Sequence, residues 1–345
     1  MESNNRLLFI SHNYFKGGNK AKSDIEDILT TLGASNIGLQ RSIVNNKVAS
    51  FFLNLTGILR ACLLMHKGDL LILQYPLKKY FAFVCHIAHL KGARPICIIH
   101  DLGSFRRKKL SVEQEIKRLS CSDYVIASNS IMAEWLKKQG LKKPVGSLGL
   151  FDYLSAQDIE KKNVQPASQL KKVVFAGGLS MKKTSFIVEL SKHQLSSYEL
   201  AVYGDKNRLH DIQANPHLSF KGFIPSDEFI QQVEADFGLV WDGNSLDTCS
   251  GAFGEYLRWN SPHKASFYLR AGLPLIVWKE AAIAPLIEHL GVGISIASLE
   301  DLDSTLASIP EEKILEMKKK AKDMAKKLNE GYFIKQALAH VPKQI

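Results

Sequence analysis

The five cysteines (Cys62, Cys85, Cys97, Cys121, Cys249) include no C-x-x-C pair, so neither a zinc ribbon nor a dithiol redox centre is expected. Their odd number excludes a complete disulfide framework, and Cys62, Cys85 and Cys97 lie in apolar stretches, which reads as buried free thiols. Also missing are an H-E-x-x-H helix, a G-x-S-x-G elbow, a full G-x-G-x-x-G fingerprint and a G-x-x-x-x-G-K-S/T phosphate loop. No continuous apolar run approaches the roughly 20 residues that span a bilayer, so no membrane crossing is expected. The start, Met1-Glu-Ser-Asn-Asn, lacks a basic stretch followed by an apolar segment and cleavage site, so the reading is a cytoplasmic protein. Acidic residues are few: 34 Asp and Glu stand against 45 Lys and Arg, a formal net charge of +11. This imbalance favours an anionic partner: a phosphorylated small molecule, nucleic acid or acidic lipid. Much of the excess falls in residues 313–327, where Lys318, Lys319, Lys320 and Lys322 read as the solvated face of a helix. With no RNA-binding aromatic motif and no helix-turn-helix signal, nucleic acid is not the expected partner.

What is present is a regular alternation. Short apolar runs, RLLFIS, DLLILQY, ARPICIIH and DYVIAS, are separated by stretches with helical periodicity around 25–32, 48–65, 80–90, 112–119 and 131–139. Strands separated by helices pair in parallel, and near-continuous apolar strands such as PICII belong in a sheet covered on both faces. The pattern lapses at 152–170, read as a linker, and restarts with KKVVFA, SYELAVYG, HLSFKGFI, FGLVW, PLIVW and VGISIA. The segment 242–259 reads as irregular. The expected fold class is therefore α/β, two Rossmann-like domains facing across a cleft: residues 1–151, a linker at 152–170, and 171–328. A final helix within 329–345 packs back on the domains. Each half opens with a strand that runs into a Gly-Gly turn, Gly17-Gly18 and Gly177-Gly178. Ligands in such sheets bind beyond the carboxyl ends of the strands.

The segment NSPHKASFYLRAGLPLIVW, from Asn260, reads as a helix followed at once by a buried strand. Ser261 has the chemistry of a helix cap and Pro262 that of a first helical position. Lys264 then puts a cation where the helix dipole already carries partial positive charge. Lys264 either extends into water at a cost of about 1 kcal/mol or less, or joins the backbone N–H groups and the Ser261 hydroxyl in holding an anion. His263 reads more readily as a buried or solvated ring than as a catalyst. Lys182 and Lys183 follow the second glycine pair and add charge near it. His100 and Asp101, in IIHDLGSFRR, fall where a strand enters a loop; Asp101 is a candidate general base or a loop anchor. Arg106 and Arg107 read as a solvated pair. Asp301-Leu302-Asp303 matches a D-x-D metal pattern, but Ser298 and Asp301 have capping-box spacing, which favours helix initiation.

The run SPHKASFYLRAGLPLIVW, with AAIAPLIEHLGVGISI after it, resembles the donor-site segment of a bacterial family of two-domain sugar-nucleotide glycosyltransferases. Its members include O-antigen beta-1,6-galactofuranosyltransferases and the glucosyltransferases that extend glycans on serine-rich streptococcal adhesins. IIHDLGSFRR and CSDYVIASNSIMAEWLKKQGL resemble its first half. The resemblance implies the GT-B architecture, with a UDP-sugar donor held by the second domain and a glycan acceptor by the first. It implies that Lys264 meets the diphosphate with Ser261 and His263 beside it, and that Gly177, Gly178 and Lys182 line the donor pocket. Gly18 and Asn19 would close over that pocket, while Tyr203 and Phe223 would form walls for uracil and ribose. It implies no metal and no further cofactor, the leaving charge being met by Lys264 and the helix start. A homo-oligomer and peripheral contact with the inner face of an anionic membrane are further expectations. The rival class is a noncatalytic nucleotide-sugar-binding subunit.

Overall fold

The computed structural model describes residues 6–11, 19–77, 80–106, 110–159 and 170–342. They form two compact units, one of residues up to Leu148 together with those from Gly331 onward, the other Gly149–Glu330.

The first unit runs β1 (Leu7–Phe9), α1 (Lys20–Thr31), β2 (Ser35–Asn36), α2 (Lys47–Leu64), β3 (Leu70–Tyr75), α3 (Phe81–Leu90), β4 (Arg94–Ile99), α4 (Gly103–Arg106), α5 (Val112–Leu119), β5 (Tyr124–Ala127), α6 (Ser130–Lys138) and β6 (Val145–Ser147). The described strands form one parallel sheet in the order β2-β1-β3-β4-β5-β6. Leu8, Leu71, Leu73, Cys97, Ile99 and Val125 share a core with Ile58 and Ala61 of α2 and Val84 and Ala88 of α3. One buried carboxylate organises the sheet's carboxyl edge. Glu115 of α5 accepts bonds from Tyr75 Oη at 2.8 Å, Gly103 N at 2.8 Å and Ser104 N at 2.7 Å. It thereby ties the end of β3 to the turn after β4, the turn that carries Asp101.

Among the described residues, α2 is long and apolar enough to cross a membrane by length and composition. Asn54, Thr56, Gly57 and Arg60 interrupt the apolar run, so the linear sequence conceals it. The buried face of α2 is Ser50, Asn54, Gly57, Ile58 and Ala61, mostly small and partly polar. Ile58 apart, its larger apolar side chains are exposed or half-buried, among them Val48, Phe52, Leu59 and Leu63.

The second unit runs β7 (Lys171–Ala176), α7 (Met181–Thr184), α8 (Phe186–Ser191), β8 (Tyr198–Tyr203), β9 (Leu218–Gly222), α9 (Ser226–Gln232), β10 (Phe237–Val240), α10 (Gly251–Gly254), α11 (His263–Arg270), β11 (Leu275–Trp278), α12 (Ala284–Leu290), β12 (Gly293–Ile296), α13 (Leu302–Ser308) and α14 (Glu311–Asn329). Its parallel sheet has the order β12-β11-β10-β7-β8-β9. The chain leaves β7 to build β8 and β9 on one side, then returns to place β10 on the other. That reversal opens a crevice beyond the carboxyl ends of β7 and β10. The helical segment after β7 is in two pieces, α7 and α8, broken at Ser185. The stretch read as irregular at 242–259 carries α10 and a 3-10 turn, Glu255–Arg258. The last helix, α15 (Tyr332–Ala339), belongs with the first unit.

Helix initiation at α13 is present, but not the capping box: Ser298 Oγ donates to Leu246 O, and Asp301, at the N-cap position, makes no side-chain cap bond. Asp303 instead accepts from Ser196 N at 2.9 Å and Ser197 N at 2.5 Å, bracing the turn before β8. Cys85, Cys97 and Cys249 are buried free thiols, and Cys62 and Cys121 are half-buried free thiols. Burial pushes the Cys85 and Cys249 thiols above their ordinary range.

Candidate active site

The crevice at the switch point is built from three elements. β7 delivers Gly177, whose φ of +152° is uncommon for residues with a side chain. β10 delivers Asp242, and α11 begins beside them with His263 and Lys264. Two contacts fix this juxtaposition. Tyr268, one turn after Lys264 on the same face of α11, accepts a bond from Ala176 N at 2.6 Å and so pins the end of β7. Gly238 of β10 lies against the Tyr268 ring, where a Cβ would come within 2.4 Å of Cγ. A further close approach holds the glycine turn: at Gly204, after β8, a Cβ would lie 2.7 Å from Gly177 O. Gly177 N donates to Tyr203 O at 3.1 Å.

Lys264 is thereby held in a nearly closed place. Its Nζ lies 3.7 Å from the centre of the Phe175 ring and 3.4 Å from Asp242 Oδ1, with the side chain 12% exposed. Its Cε would be 3.5 Å from a Cβ on Gly177, so the glycine is where the lysine stem passes. Asp242 also meets Lys183, with Nζ 3.7 Å from Oδ2. Gly243 N donates to Lys183 O at 2.6 Å, which clips the chain after β10 onto α7. Burial lowers the Lys264 pKa to about 8; Asp242 opposes that shift and the Lys183 charge adds to it. Two cations thus share one carboxylate beside the start of α11, whose first turn has no side-chain cap bond, leaving excess positive charge there. The arrangement can accept a multiply charged anion.

The other sequence candidates fall as follows. Ser261 is buried but does not cap α11. Pro262 occupies the N-cap position with extended ψ, which leaves Ser261 one residue too early to reach the first free N–H groups. Its Oγ donates to Gly149 O at 2.7 Å, anchoring the chain as it enters α11. The His263 ring stacks on Tyr153, centroids 4.8 Å apart. Gly178 lies in open space beside Gly177. Lys182 is exposed, and Lys183 is the lysine turned toward Asp242. The Tyr203 ring packs edge-on against Phe229, while Phe223 is 82% exposed. In the first unit Asn19 is the N-cap residue of α1 without a side-chain cap bond. Asp101 follows β4, next to His100, whose Nε2 lies 2.8 Å from Gln74 Oε1. Gly18 and Arg107 lie outside the described residues. Among the described residues no group of three or more His, Cys, Asp or Glu could hold a metal ion. The sequence reading missed Asp242 and Tyr268. The carboxylate follows FGLVW, so its strand-end position was the available signal.

Comparison with known proteins bears on this geometry. Residues 7–150 match the model of the glucosyltransferase 3-like N-terminal domain, and residues 173–341 match that of the glucosyltransferase 3-like C-terminal domain. The chain belongs to the glucosyltransferase 3-like family. It is 31% identical over 328 residues to the beta-1,6-galactofuranosyltransferase WbbI of Escherichia coli (strain K12), covering 94% of each chain. It is 25% identical to glucosyltransferase 3 of Streptococcus gordonii, covering 92% of each. A solved lipopolysaccharide outer core galactosyltransferase, WaaB, superposes with a TM-score of 0.58 at 13% identity, over 97% of this chain and 99% of that one. At that identity the likeness shows the fold alone, the GT-B class of two Rossmann-like domains. The glucosyltransferase 3-like assignment makes the protein a glycosyltransferase.

Proposed function

We propose that this glycosyltransferase moves a hexose, galactofuranose or glucose, from a UDP-sugar to a hydroxyl of a glycan acceptor in surface polysaccharide or glycoprotein assembly. The observation that carries the donor reading is the Lys264–Asp242–Lys183 cluster at the start of α11, beside the Gly177 turn. A diphosphate placed there takes over the two ammonium groups from Asp242 and receives backbone N–H groups as well. As the bond to the sugar breaks, negative charge grows on the leaving diphosphate. A cation already desolvated against Phe175 stabilises it without reorganising water. Asp101 is the proposed base for the acceptor hydroxyl, on the strength of its place at a strand's carboxyl end. The names of the relatives, a galactofuranosyltransferase and a glucosyltransferase, support the two hexoses.

The test is a melting-temperature screen with UDP, UDP-glucose and UDP-galactofuranose, followed by assay of sugar release. A ligand selective for the folded state raises the melting temperature. A rise with UDP that Lys264→Ala abolishes, together with slow hydrolysis of one UDP-sugar, is the expected result. No shift with any uridine nucleotide rejects the donor; a shift with no turnover on any glycan acceptor supports a noncatalytic binding subunit instead.

A further inference from the structure

The outward face of α2 is not explained by the transferase chemistry. Val48, Phe52, Leu59 and Leu63 all project to the exterior, with Leu63 76% and Phe52 59% exposed. Phe83 and Leu90 of α3, the helix packed beside α2, are exposed as well. This inverts the usual arrangement, since the inward face of the same helix is built from Ser50, Asn54, Gly57, Ile58 and Ala61. An exposed apolar face of this kind marks an interaction surface. Ile58 and Ala61 are part of the first unit's core, so α2 is fixed on its domain and can meet an apolar phase only side-on.

Charge selects the occupant. From Ser42 to His100 the sequence contains one acidic residue, Asp69, against Lys47, Arg60, Lys67, Lys78, Lys79, Lys91 and Arg94. Asp69 is buried and bonded to the Arg6 guanidinium at 2.9 and 2.6 Å. Lys47 stands exposed at the start of α2 and Arg60 on its outer side. At the other end Lys91 Nζ donates to Leu63 O at 2.8 Å and Met65 O at 3.1 Å, setting a cation beside the most exposed leucine. At the far rim, Asp123 is engaged by His89 and Lys143. A second copy docked face to face would bring these cations against their own duplicates. A nucleic acid would offer the leucines nothing apolar in which to be buried. We propose that the α2–α3 face docks on an anionic phospholipid bilayer, with Phe52, Leu59 and Leu63 entering the acyl boundary and Lys47, Lys67 and Lys91 meeting the headgroups.

The test is sedimentation of the purified protein with vesicles of phosphatidylcholine alone or mixed with phosphatidylglycerol. Wild type should pellet with the mixed vesicles and not with phosphatidylcholine, and added salt should weaken it. Phe52→Ser with Leu63→Ser should reduce partitioning by about tenfold or more. Lys47→Glu with Lys67→Glu should remove the preference for phosphatidylglycerol. All four side chains are exposed, so the melting temperature of each variant and its shift with UDP should match wild type, which separates this proposal from the donor reading. Equal binding to both vesicles, no binding, or binding insensitive to both variants overturns it. So does a concentration-dependent dimer that the Phe52 and Leu63 substitutions dissolve in a protein that ignores vesicles.

Discussion

At the scale of single residues, Lys264 couples protonation to two observable quantities. Its pKa in the folded chain is about 8 against an ordinary 10.5. Below pH 8 it is charged in both states and the cost of burying it is fully present. Between 8 and 10.5 the folded chain releases the proton while the unfolded chain keeps it, so stability rises with pH across that window. Lys264→Met should flatten that rise in a series of urea unfolding curves. Affinity for UDP follows the opposite course, because the cation that receives the diphosphate is lost above pH 8. Titration calorimetry should show binding that weakens above pH 8 in wild type and not in Lys264→Arg, whose guanidinium stays charged. Asp242 holds the lysine's pKa up, so Asp242→Asn should move the weakening to lower pH. The lysine was legible in sequence because a cation in a first helical turn breaks a local electrostatic rule. Asp242 and Lys183 break no such rule. They become partners only through the pairing of β10 beside β7 and the clip from Gly243 to Lys183, both long-range facts.

At the scale of elements, the apolar strands were readable nearly to the residue: KKVVFA is β7, and LLILQY within the run DLLILQY is β3. Burial on both faces leaves continuous apolar runs, which polar loops cannot imitate. β2 and β6, of two and three residues, were missed because SN and VGS are edge strands with no buried run to betray them. The bracing contacts were also invisible. Tyr268 looks like one more aromatic on an amphipathic helix, yet its hydroxyl fixes the end of β7. Tyr268→Phe removes that acceptor and leaves Ala176 N buried without it, which should cost about 1–3 kcal/mol in denaturant unfolding. Because the same contact aims Gly177 at Lys264, the variant should also weaken UDP binding while leaving its pH dependence in place. Glu115 plays the corresponding part in the first unit. Replacing it with Ala strands Tyr75 Oη and the two N–H groups of Gly103 and Ser104, and the midpoint of unfolding should fall by the equivalent of about 3 kcal/mol or more.

At the scale of the whole molecule, the chain does not end in the unit where it was last building. α14 belongs to the second unit, and at Gly331 the backbone turns with φ of +73° into α15, which belongs to the first. The turn is tight on one side: a Cβ on Gly331 would lie 2.7 Å from Ile28 Cγ2 of α1. Phe333, Ile334, Ala337 and Leu338 of α15 are buried. The Asn329-Glu-Gly331 break in the sequence marks where α14 ends. Nothing local in the amphipathic pattern of α15 names the surface that receives it, because a helix's apolar stripe states that it is covered and not by what. The first unit is thus completed by residues almost two hundred positions beyond its sixth strand. Gly331→Val combines an unfavourable backbone conformation with collision against Ile28, and either alone costs on the order of 1–2 kcal/mol. Calorimetry should then show the unfolding transition of the first unit moved to lower temperature. The second unit's transition, followed by its UDP-induced rise, should stay where it was. Ending the chain after Glu330 should exaggerate the same split, since it removes the buried side chains of α15 outright. If both transitions fall together in both variants, α15 stabilises the two units as one cooperative body, and its assignment to the first unit alone is wrong.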